Sequence, residues 1–369
     1  MDIHLIAAAR PNFMKVAPLW HALKRRDAGL RPVLVHTGQH YDPEMSGDFL
    51  RDLSLPSPDV QLGVGSGSHA RQTAAILTAY EDVCLQQPPA LTIVVGDVNS
   101  TLACALAAKK LTLPVAHLEA GLRSGDRSMP EEINRLVTDS ISDWLWTPSP
   151  DADENLRREG ASDERIVRVG NIMIDSFAMM RERIAAQPLP EGMSLKPGGY
   201  AVATFHRPAN VDSLEVLSRL LATLVQLSEE LPIVFPVHPR TRARIDAAGL
   251  LGWLQNALNL YLLPPQGYVE FMALVTRAAL AITDSGGVQE ETTYLRIPCL
   301  TLRPNTERPI TISQGSNRLT TVDRLLDDAR EACCLSQEAT SSVPELWDGL
   351  TADRVVDQIL RLADQGSIE

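Results

Sequence analysis

The chain has 369 residues, too many for one ordinary hydrophobic core, so we expect two domains. Its composition, 44% hydrophobic and 22% charged, is typical of soluble globular proteins. The net charge of −12 argues against a nucleic-acid partner, because phosphate backbones are bound by clustered lysine and arginine. We expect no membrane span and no signal peptide. The five cysteines lack metal-ligand spacing, which predicts reduced thiols, no metal site and a cytoplasmic protein.

Short apolar strands alternate with helices through the first half of the chain. Asp2–Ala9 predicts a strand, Arg10–Asn12 a turn, and apolar residues at helical spacing predict a helix over about Phe13–Arg26. Later strands are predicted at Arg31–His36, Leu91–Gly96, Val115–Leu118, Trp144–Thr147 and Ile166–Val169. Because these strands are continuously apolar, they are typical of a parallel sheet with helices on both faces. We therefore assign residues 1–185 to a first Rossmann-like domain.

Gln187–Gly199 interrupts this alternation with three prolines and three glycines, which predicts a domain boundary. Strands and helices then alternate again, so residues 196–350 are assigned to a second Rossmann-like domain. The last helix, about 352–366, is a candidate to pack back on the first domain. We predict an α/β fold of two doubly wound domains facing across a cleft, a natural pocket for a nucleotide ligand.

Two cations follow the first strand. Arg10 lies directly after it and Lys15 about one helical turn farther on, so both side chains can reach one spot above the sheet edge. A helix N-terminus with added arginine and lysine suits a phosphate group. The alternative is that both are solvated surface residues. No G-x-G-x-x-G motif follows any strand, so this is not a dinucleotide-binding fingerprint.

Carboxylates stand at the carboxyl ends of two predicted strands. Asp97 follows the strand that ends at Gly96, and Glu119 continues the strand that ends at Leu118. A carboxylate continuing an apolar strand is costly without a partner or a role, and ligands bind at this edge of open α/β sheets. We therefore predict acid/base catalysis here. Asp97 has the alternative role of a helix cap, although Asn99 is better placed for that.

Glu131 and Glu132 open the helix that begins at Pro130. The simplest role for both is to complement the helix dipole, and we favour that role for Glu132. In the second domain, His206 and His238 each close a strand. A neutral imidazole suits proton transfer or a hydrogen bond to a leaving diphosphate, although a lone histidine is more often structural.

Ser285-Gly286-Gly287 separates a strand from a helix and is the clearest ligand signal. The glycines let backbone N–H groups approach a phosphate and direct the helix dipole at it. Glu291, four residues beyond Gly287, is placed to accept both hydroxyl groups of a ribose, and Arg308 adds a cation. The alternative is an ordinary glycine turn with solvated glutamates. We expect the second domain to hold a nucleotide.

Together these segments resemble the non-hydrolysing UDP-N-acetylglucosamine 2-epimerases. The match runs in one colinear order through ARPNFMKVAP, TGQHYDPEMS, GDVNSTLA, HLEAGLRSGDRSMPEEINR, VGNIMID, HRPANVD, PVHPRT, TDSGGVQEE and TERP. The resemblance implies a glycosyltransferase-B-like fold, a homodimer, and interconversion of UDP-GlcNAc and UDP-ManNAc without metal or nicotinamide cofactor. It implies anti elimination of UDP to 2-acetamidoglucal, followed by re-addition.

The resemblance also implies roles for individual residues. The catalytic positions correspond to Asp97, Glu119, Glu131 and His206. The substrate-binding positions correspond to Arg10, Lys15, Arg135, Gln266, Phe271, Ser285, Gly286, Gly287, Glu291 and Arg308. Positions that bind an activating second UDP-GlcNAc in some bacterial members correspond to Gln39, His40, Arg207 and His238. The chain departs from the common HRREN motif at Pro208, which removes a second arginine.

Three alternatives stay open. One is a 2-epimerase of a modified sugar such as UDP-2,3-diacetamido-glucuronic acid, which would need an extra cation for the 6-carboxylate. Another is a glycosyltransferase of the same fold, which would not need several carboxylates around the donor sugar. A third is a catalytically silent nucleotide-sugar sensor, which the retention of all four catalytic positions disfavours.

Overall fold

The structure is a computed structural model that describes residues 1–26, 29–38, 50–193, 195–334 and 342–369. Contacts divide these residues into two compact units, Met1–Met179 with Glu345–Glu369, and Met180–Pro344. Each unit is built on a parallel sheet with helices. The α/β, doubly wound fold class predicted from the alternation of strands and helices is therefore confirmed.

The first unit contains a seven-stranded sheet. Its strands are β1 Asp2–Ala7, β2 Arg31–His36, β3 Val60–Gln61, β4 Leu91–Val95, β5 Val115–Leu118, β6 Trp144–Thr147 and β7 Ile166–Arg168. Their order across the sheet is β3-β2-β1-β4-β5-β6-β7. The order reverses between β1 and β4, and such a switch point opens a crevice at the carboxyl ends of the strands.

The helices of this unit follow the strands. They are α1 Arg10–Arg26, α2 His69–Gln86, α3 Asn99–Lys110, α4 Pro130–Ile141, α5 Pro150–Arg158 and α6 Ile172–Ala186, the last of which crosses the division between the units. The turn predicted at Arg10–Asn12 is wrong, because α1 begins at Arg10. Proline is compatible with the first turn of a helix, where its missing N–H has no partner. The side chain of Asn12 accepts from the N–H of Ala9 at 3.3 Å.

The second unit contains a six-stranded sheet. Its strands are β8 Ala201–Thr204, β9 Ile233–Pro236, β10 Leu260–Leu263, β11 Leu280–Thr283, β12 Cys299–Leu302 and β13 Asn317–Thr320, in the order β10-β9-β8-β11-β12-β13. The switch point lies between β8 and β11. The helices are α7 Pro208–Val211, α8 Leu214–Ser228, α9 Pro239–Ala247, α10 Leu251–Gln255, α11 Tyr268–Val275, α12 Gly286–Leu295, α13 Ile310–Ser313 and α14 Leu325–Cys334.

The C-terminal helix, α15 Thr351–Asp364, belongs to the first unit and packs against α1. Its N-terminus is held by Asp175 of α6, whose carboxylate accepts from the N–H groups of Thr351 and Ala352 at 3.2 and 2.7 Å. These are two of the four N–H groups that a helix leaves without an internal partner.

Within the ranges that the structure describes, none of the helices could span a bilayer. Nor do three histidine, cysteine or acidic side chains come together there in a way that could hold a metal ion. The five cysteines are free thiols, three of them buried and two, Cys333 and Cys334, exposed.

Candidate active site

Glu119 lies directly after β5 with a backbone conformation that favours glycine. Its φ is 72°, and the N–H groups of Glu119 and Ala120 both donate to the carbonyl oxygen of Trp146 on β6, at 3.0 and 3.1 Å. Such a conformation costs about 1–3 kcal/mol in a residue other than glycine, and strained residues cluster at functional sites. The backbone therefore marks Glu119 as a candidate functional residue.

Lys15 and Glu119 form a buried ion pair. Lys15 belongs to α1, after β1, and Glu119 follows β5, so the pair spans the end of β4, which lies between those strands. Gly96 occupies that end with a φ of 72°. A Cβ there would lie 3.2 Å from Nζ of Lys15 and 3.6 Å from Oε2 of Glu119. Glycine at this position therefore leaves room for the pair.

Asp97 forms an ion pair with Arg135 of α4. Its side chain remains 31% exposed, whereas that of Arg135 is 5% exposed. The backbone carbonyl of Asp97 accepts from Nδ2 of Asn134 at 2.8 Å. Asp97 does not cap α3, since the N-cap residue is Val98; Asn99 is not the cap either, as α3 begins there. Helix α4 thus holds Asp97 while its carboxylate stays accessible.

Glu131 and Glu132, adjacent in α4, have different surroundings. Glu132 is buried and accepts from the N–H groups of Ser124 and Gly125 and from Arg135, at 2.8 to 3.0 Å. Burial alone would raise the pKa of Glu132, but these hydrogen bonds bring it below its ordinary value. Glu131 is half-buried, and its side chain makes no hydrogen bond or ion pair with any described residue. Glu132 therefore holds the preceding loop, and Glu131 is available for chemistry.

In the second unit, His206 and Asp284 meet at the switch point between β8 and β11. Nδ1 of His206 lies 3.0 Å from Oδ1 of Asp284. Asp284 is fully buried and also accepts from the N–H groups of His206 and Arg207 and from Nδ2 of Asn210. Burial alone would raise the pKa of Asp284, but hydrogen bonds from His206 and Asn210 lower it. The His206 side chain is 40% exposed. A buried carboxylate therefore orients an imidazole that a substrate can reach, an arrangement typical of general acid/base sites.

The N-terminus of α12 combines glycines with a cation. Ser285 is its N-cap residue, and Gly286 begins the helix. A Cβ at Gly286 would lie 2.9 Å from a guanidinium nitrogen of Arg308. Arg308 is buried and pairs with Glu290 and Glu307 at 2.8 and 2.6 Å. Free backbone N–H groups beside an arginine suit a phosphate group.

Glu291, on the same helix, is buried and accepts a hydrogen bond from the hydroxyl of Tyr268 at 2.7 Å. Burial raises the pKa of Glu291 to about 8, and the neighbouring Glu290 adds to the rise; the bond from Tyr268 offsets part of it. A buried carboxyl group needs hydrogen-bond partners. Two ribose hydroxyls would supply them.

A family model described as UDP-N-acetylglucosamine 2-epimerase matches residues 21–360. The chain belongs to this family. A UDP-N-acetylglucosamine 2-epimerase of Methanocaldococcus jannaschii is 40% identical over 327 residues, which is 86% of this chain and 88% of the relative. A UDP-2,3-diacetamido-2,3-dideoxy-D-glucuronate 2-epimerase of Pseudomonas aeruginosa is 40% identical over 335 residues, 89% and 92% of the two chains.

Solved structures of the 2-epimerase family show the same fold. The crystal structure of the Methanocaldococcus jannaschii UDP-GlcNAc 2-epimerase in complex with UDP-GlcNAc and UDP matches with a TM-score of 0.87 and 36% identity. The match covers 98% of this chain and 100% of that one. The predicted family and its glycosyltransferase-B-like fold are therefore confirmed.

The residues that the 2-epimerase resemblance assigns to the substrate lie in both units. Gln266 donates to the carbonyl oxygen of Pro264 at 2.9 Å, and Phe271 packs partly buried against the cluster of Ala281, Val288 and Cys299. The side chain of Arg10 lies outside the described residues. The structure brings Lys15 to Glu119, Arg135 to Asp97, and Arg308 to Gly286. The individual roles of these residues in binding and catalysis stay predictions.

The four positions matched to an activator site are only partly described. Gln39 and His40 lie outside the described residues. The ring of His238 lies 5.4 Å from that of His206, and burial, followed by the nearby His206, lowers the pKa of His238. Arg207 is half-buried, and its backbone N–H donates to Asp284 at 2.9 Å. Arg207 and His238 thus adjoin the predicted catalytic histidine.

Sequence reasoning missed Asp284 and Tyr268 as site residues of this 2-epimerase family member. A signal for Asp284 was present, since it follows the apolar strand β11 as Glu119 follows β5. No comparable signal marked Tyr268. Its contact with Glu291 joins α11 to α12 across 23 positions of sequence, and only the fold brings those helices together.

Proposed function

We propose that this chain inverts C2 of UDP-N-acetylglucosamine and interconverts it with UDP-N-acetylmannosamine. A base removes the proton from C2 while the C1–O bond breaks and its electron pair leaves with UDP, giving 2-acetamidoglucal. UDP then adds back to C1 and a proton is delivered to the opposite face of C2. The family membership and 40% identity to a curated 2-epimerase support the proposal.

Losing and regaining a proton on different faces calls for more than one acid/base group. The first unit offers three carboxylates near one sheet edge, in different electrostatic settings. Glu119 is paired with Lys15, Asp97 is paired with Arg135, and Glu131 has no partner among the described residues. These three carboxylates are the candidates for the base that removes the C2 proton and for the acid that returns it.

In this proposal the second unit holds UDP. The N–H groups at the start of α12 and Arg308 bind the pyrophosphate, and Glu291 binds the ribose. The imidazolium form of His206, oriented by Asp284, donates a hydrogen bond to the departing diphosphate oxygen and stabilises its charge. The chemistry needs neither metal nor nicotinamide. We also infer a cytoplasmic homodimer, for which light scattering of the purified protein is the direct measurement.

The observation that carries the proposal is the conformation of Glu119. A buried carboxylate with a left-handed backbone, paired with a lysine at the crevice edge of the sheet, has no evident purpose in packing. Incubation with UDP-GlcNAc in deuterated water tests the proposal. We expect deuterium at C2 of both epimers, detected by proton NMR and mass spectrometry. Free sugar and UDP as the main products, or epimers without label, would contradict it.

A second candidate is epimerisation of UDP-2,3-diacetamido-glucuronate, because the Pseudomonas aeruginosa relative with that name is also 40% identical. The same exchange experiment with both nucleotide sugars, each at several concentrations, separates the two. We expect the higher kcat/KM for UDP-GlcNAc. A kcat/KM that is higher for the diacetamido-glucuronate would favour the second candidate.

Activation by a second UDP-GlcNAc is a further proposal, supported by the position of half-buried Arg207 and exposed His238 beside His206. If it holds, conversion of UDP-ManNAc alone should show a lag that small additions of UDP-GlcNAc remove. Arg207→Gln should abolish that response and leave UDP binding intact. Hyperbolic rates with UDP-ManNAc alone, unchanged by UDP-GlcNAc, would remove the proposal.

A further inference from the structure

A fully buried histidine joins the strand ends that carry Asp97 and Glu119. His117 lies on β5, two residues before Glu119, and is 0% exposed. Its Nε2 is 2.8 Å from the carbonyl oxygen of Gly96, the residue before Asp97. Its Nδ1 is 2.6 Å from Oδ1 of Asp139, a buried residue of α4.

Both ring nitrogens of His117 face acceptors. A carbonyl oxygen can only accept a hydrogen bond, and the same is true of an ionised carboxylate. Asp139 also accepts from the N–H of Gly121 at 3.1 Å and pairs with Arg123 at 2.7 Å. Burial alone would raise the pKa of Asp139, but His117 and Arg123 bring it below its ordinary value. With Asp139 ionised, both nitrogens of His117 can be satisfied only as N–H donors, which is the imidazolium form.

The partners of this network lie on either side of the predicted catalytic carboxylates. Gly96 and Gly121 both have positive φ, 72° and 81°. A Cβ at Gly121 would overlap the carbonyl group of Ala152, so the chain passes α5 too closely for any side chain. The carbonyl oxygen of Gly121 is also held in place, because it accepts a hydrogen bond from Nδ2 of Asn155 at 2.9 Å. One buried network thus fixes the backbone before Asp97 and after Glu119.

We propose that His117, held as an imidazolium by Asp139, is a positioning residue that sets the placement of Asp97 relative to Glu119. The inference rests on the proposed function, because those carboxylates are assigned to proton transfer at C2. His117 itself contacts no substrate in this proposal. Its hydrogen bonds, strengthened by charge, hold both backbone segments in the geometry that the reaction needs.

His4 provides a matched control. It is also a buried histidine of the first sheet, but it lies near the start of β1, away from the carboxyl edge, and its Nδ1 is 3.0 Å from the hydroxyl of Tyr80. Burial lowers the pKa of His4 to about 4, so it is neutral under assay conditions. His4→Gln therefore removes a buried imidazole from the same sheet without touching the carboxylates.

The kinetic test compares His117→Gln, Asp139→Asn, the double variant and His4→Gln. We expect kcat to fall about 10- to 100-fold in both single variants at His117 and Asp139, with KM changed less than about threefold. The double variant should lose no more than either single one, because the two residues act as a unit. His4→Gln should keep kcat within about threefold. Equal losses in His117→Gln and His4→Gln, or additive losses in the double variant, would overturn the proposal.

Nitrogen-15 NMR of the wild-type protein provides a test that does not depend on a variant folding. Among the eight histidines, we expect one whose two ring nitrogens both carry protons at the pH of the kinetic assays. If no histidine behaves in this way, the proposed charge state is wrong. If the wild type shows this signal but incorporates no deuterium at C2, the proposed function fails while the charged network stands.

Discussion

Glu119→Gln is expected to lower the turnover of UDP-GlcNAc at least about 100-fold, the scale typical of acid/base groups. Glutamine has nearly the same shape, so it can keep the left-handed backbone, but it can neither take nor give the proton. The affinity for UDP should change less than about threefold, because UDP binding is assigned to the second unit. Turnover is measured by NMR of the epimer ratio and UDP binding by calorimetry.

Glu154→Gln is the control for this prediction. Glu154 is an exposed residue of α5 in the same unit, and its substitution should leave turnover and UDP affinity unchanged. Glu119→Gln also leaves Lys15 without its carboxylate, so the melting temperatures of both variants should be recorded to show that they are folded. A folded Glu119→Gln protein with near-normal turnover would move Glu119 to a structural role and remove the main support for the mechanism.

The sheets could be predicted from the sequence because their signal is local. Strands such as Leu91–Val95 and Val115–Leu118 are continuous apolar runs that end in a polar residue, and both appear in the structure close to their predicted bounds. The same pattern identified Asp97 and Glu119 at the edge where a doubly wound sheet opens. Residue type and chain order were enough for these features.

Other features depend on approaches between distant segments. The side chain of Glu132 was assigned to the helix dipole, whereas the structure shows it holding Ser124 and Gly125 of the preceding loop. The imidazolium network of His117 and Asp139 requires that α4 pack beside β5, which no short pattern reveals. Glu119 was selected because a carboxylate is costly at the end of an apolar strand, but its strained φ is a property of the folded backbone.

Asp284→Asn is expected to lower the stability of the protein at pH 7 by about 3 kcal/mol, the scale of breaking a buried charged contact. Every described partner of this carboxylate is a donor: the N–H groups of His206 and Arg207, Nδ2 of Asn210, and the ring of His206. One oxygen becomes an NH2 group in asparagine, so a donor would face a donor. Turnover should fall as well, about 10-fold or more, because His206 loses the group that orients it.

The pH dependence of this loss identifies its cause. The folded-state pKa of Asp284 lies below its ordinary value, so the ionised carboxylate stabilises the fold above the unfolded-state pKa, and this stabilisation is lost as the pH falls through the folded-state pKa. The difference in urea midpoint between wild type and Asp284→Asn should therefore be full at pH 7 and shrink below about pH 4. Asp212→Asn is the control in the same unit: its carboxylate pairs with Arg240 at the surface, where salt bridges contribute little. A difference for Asp284→Asn that does not change with pH would mean that packing, rather than charge, is what asparagine disturbs.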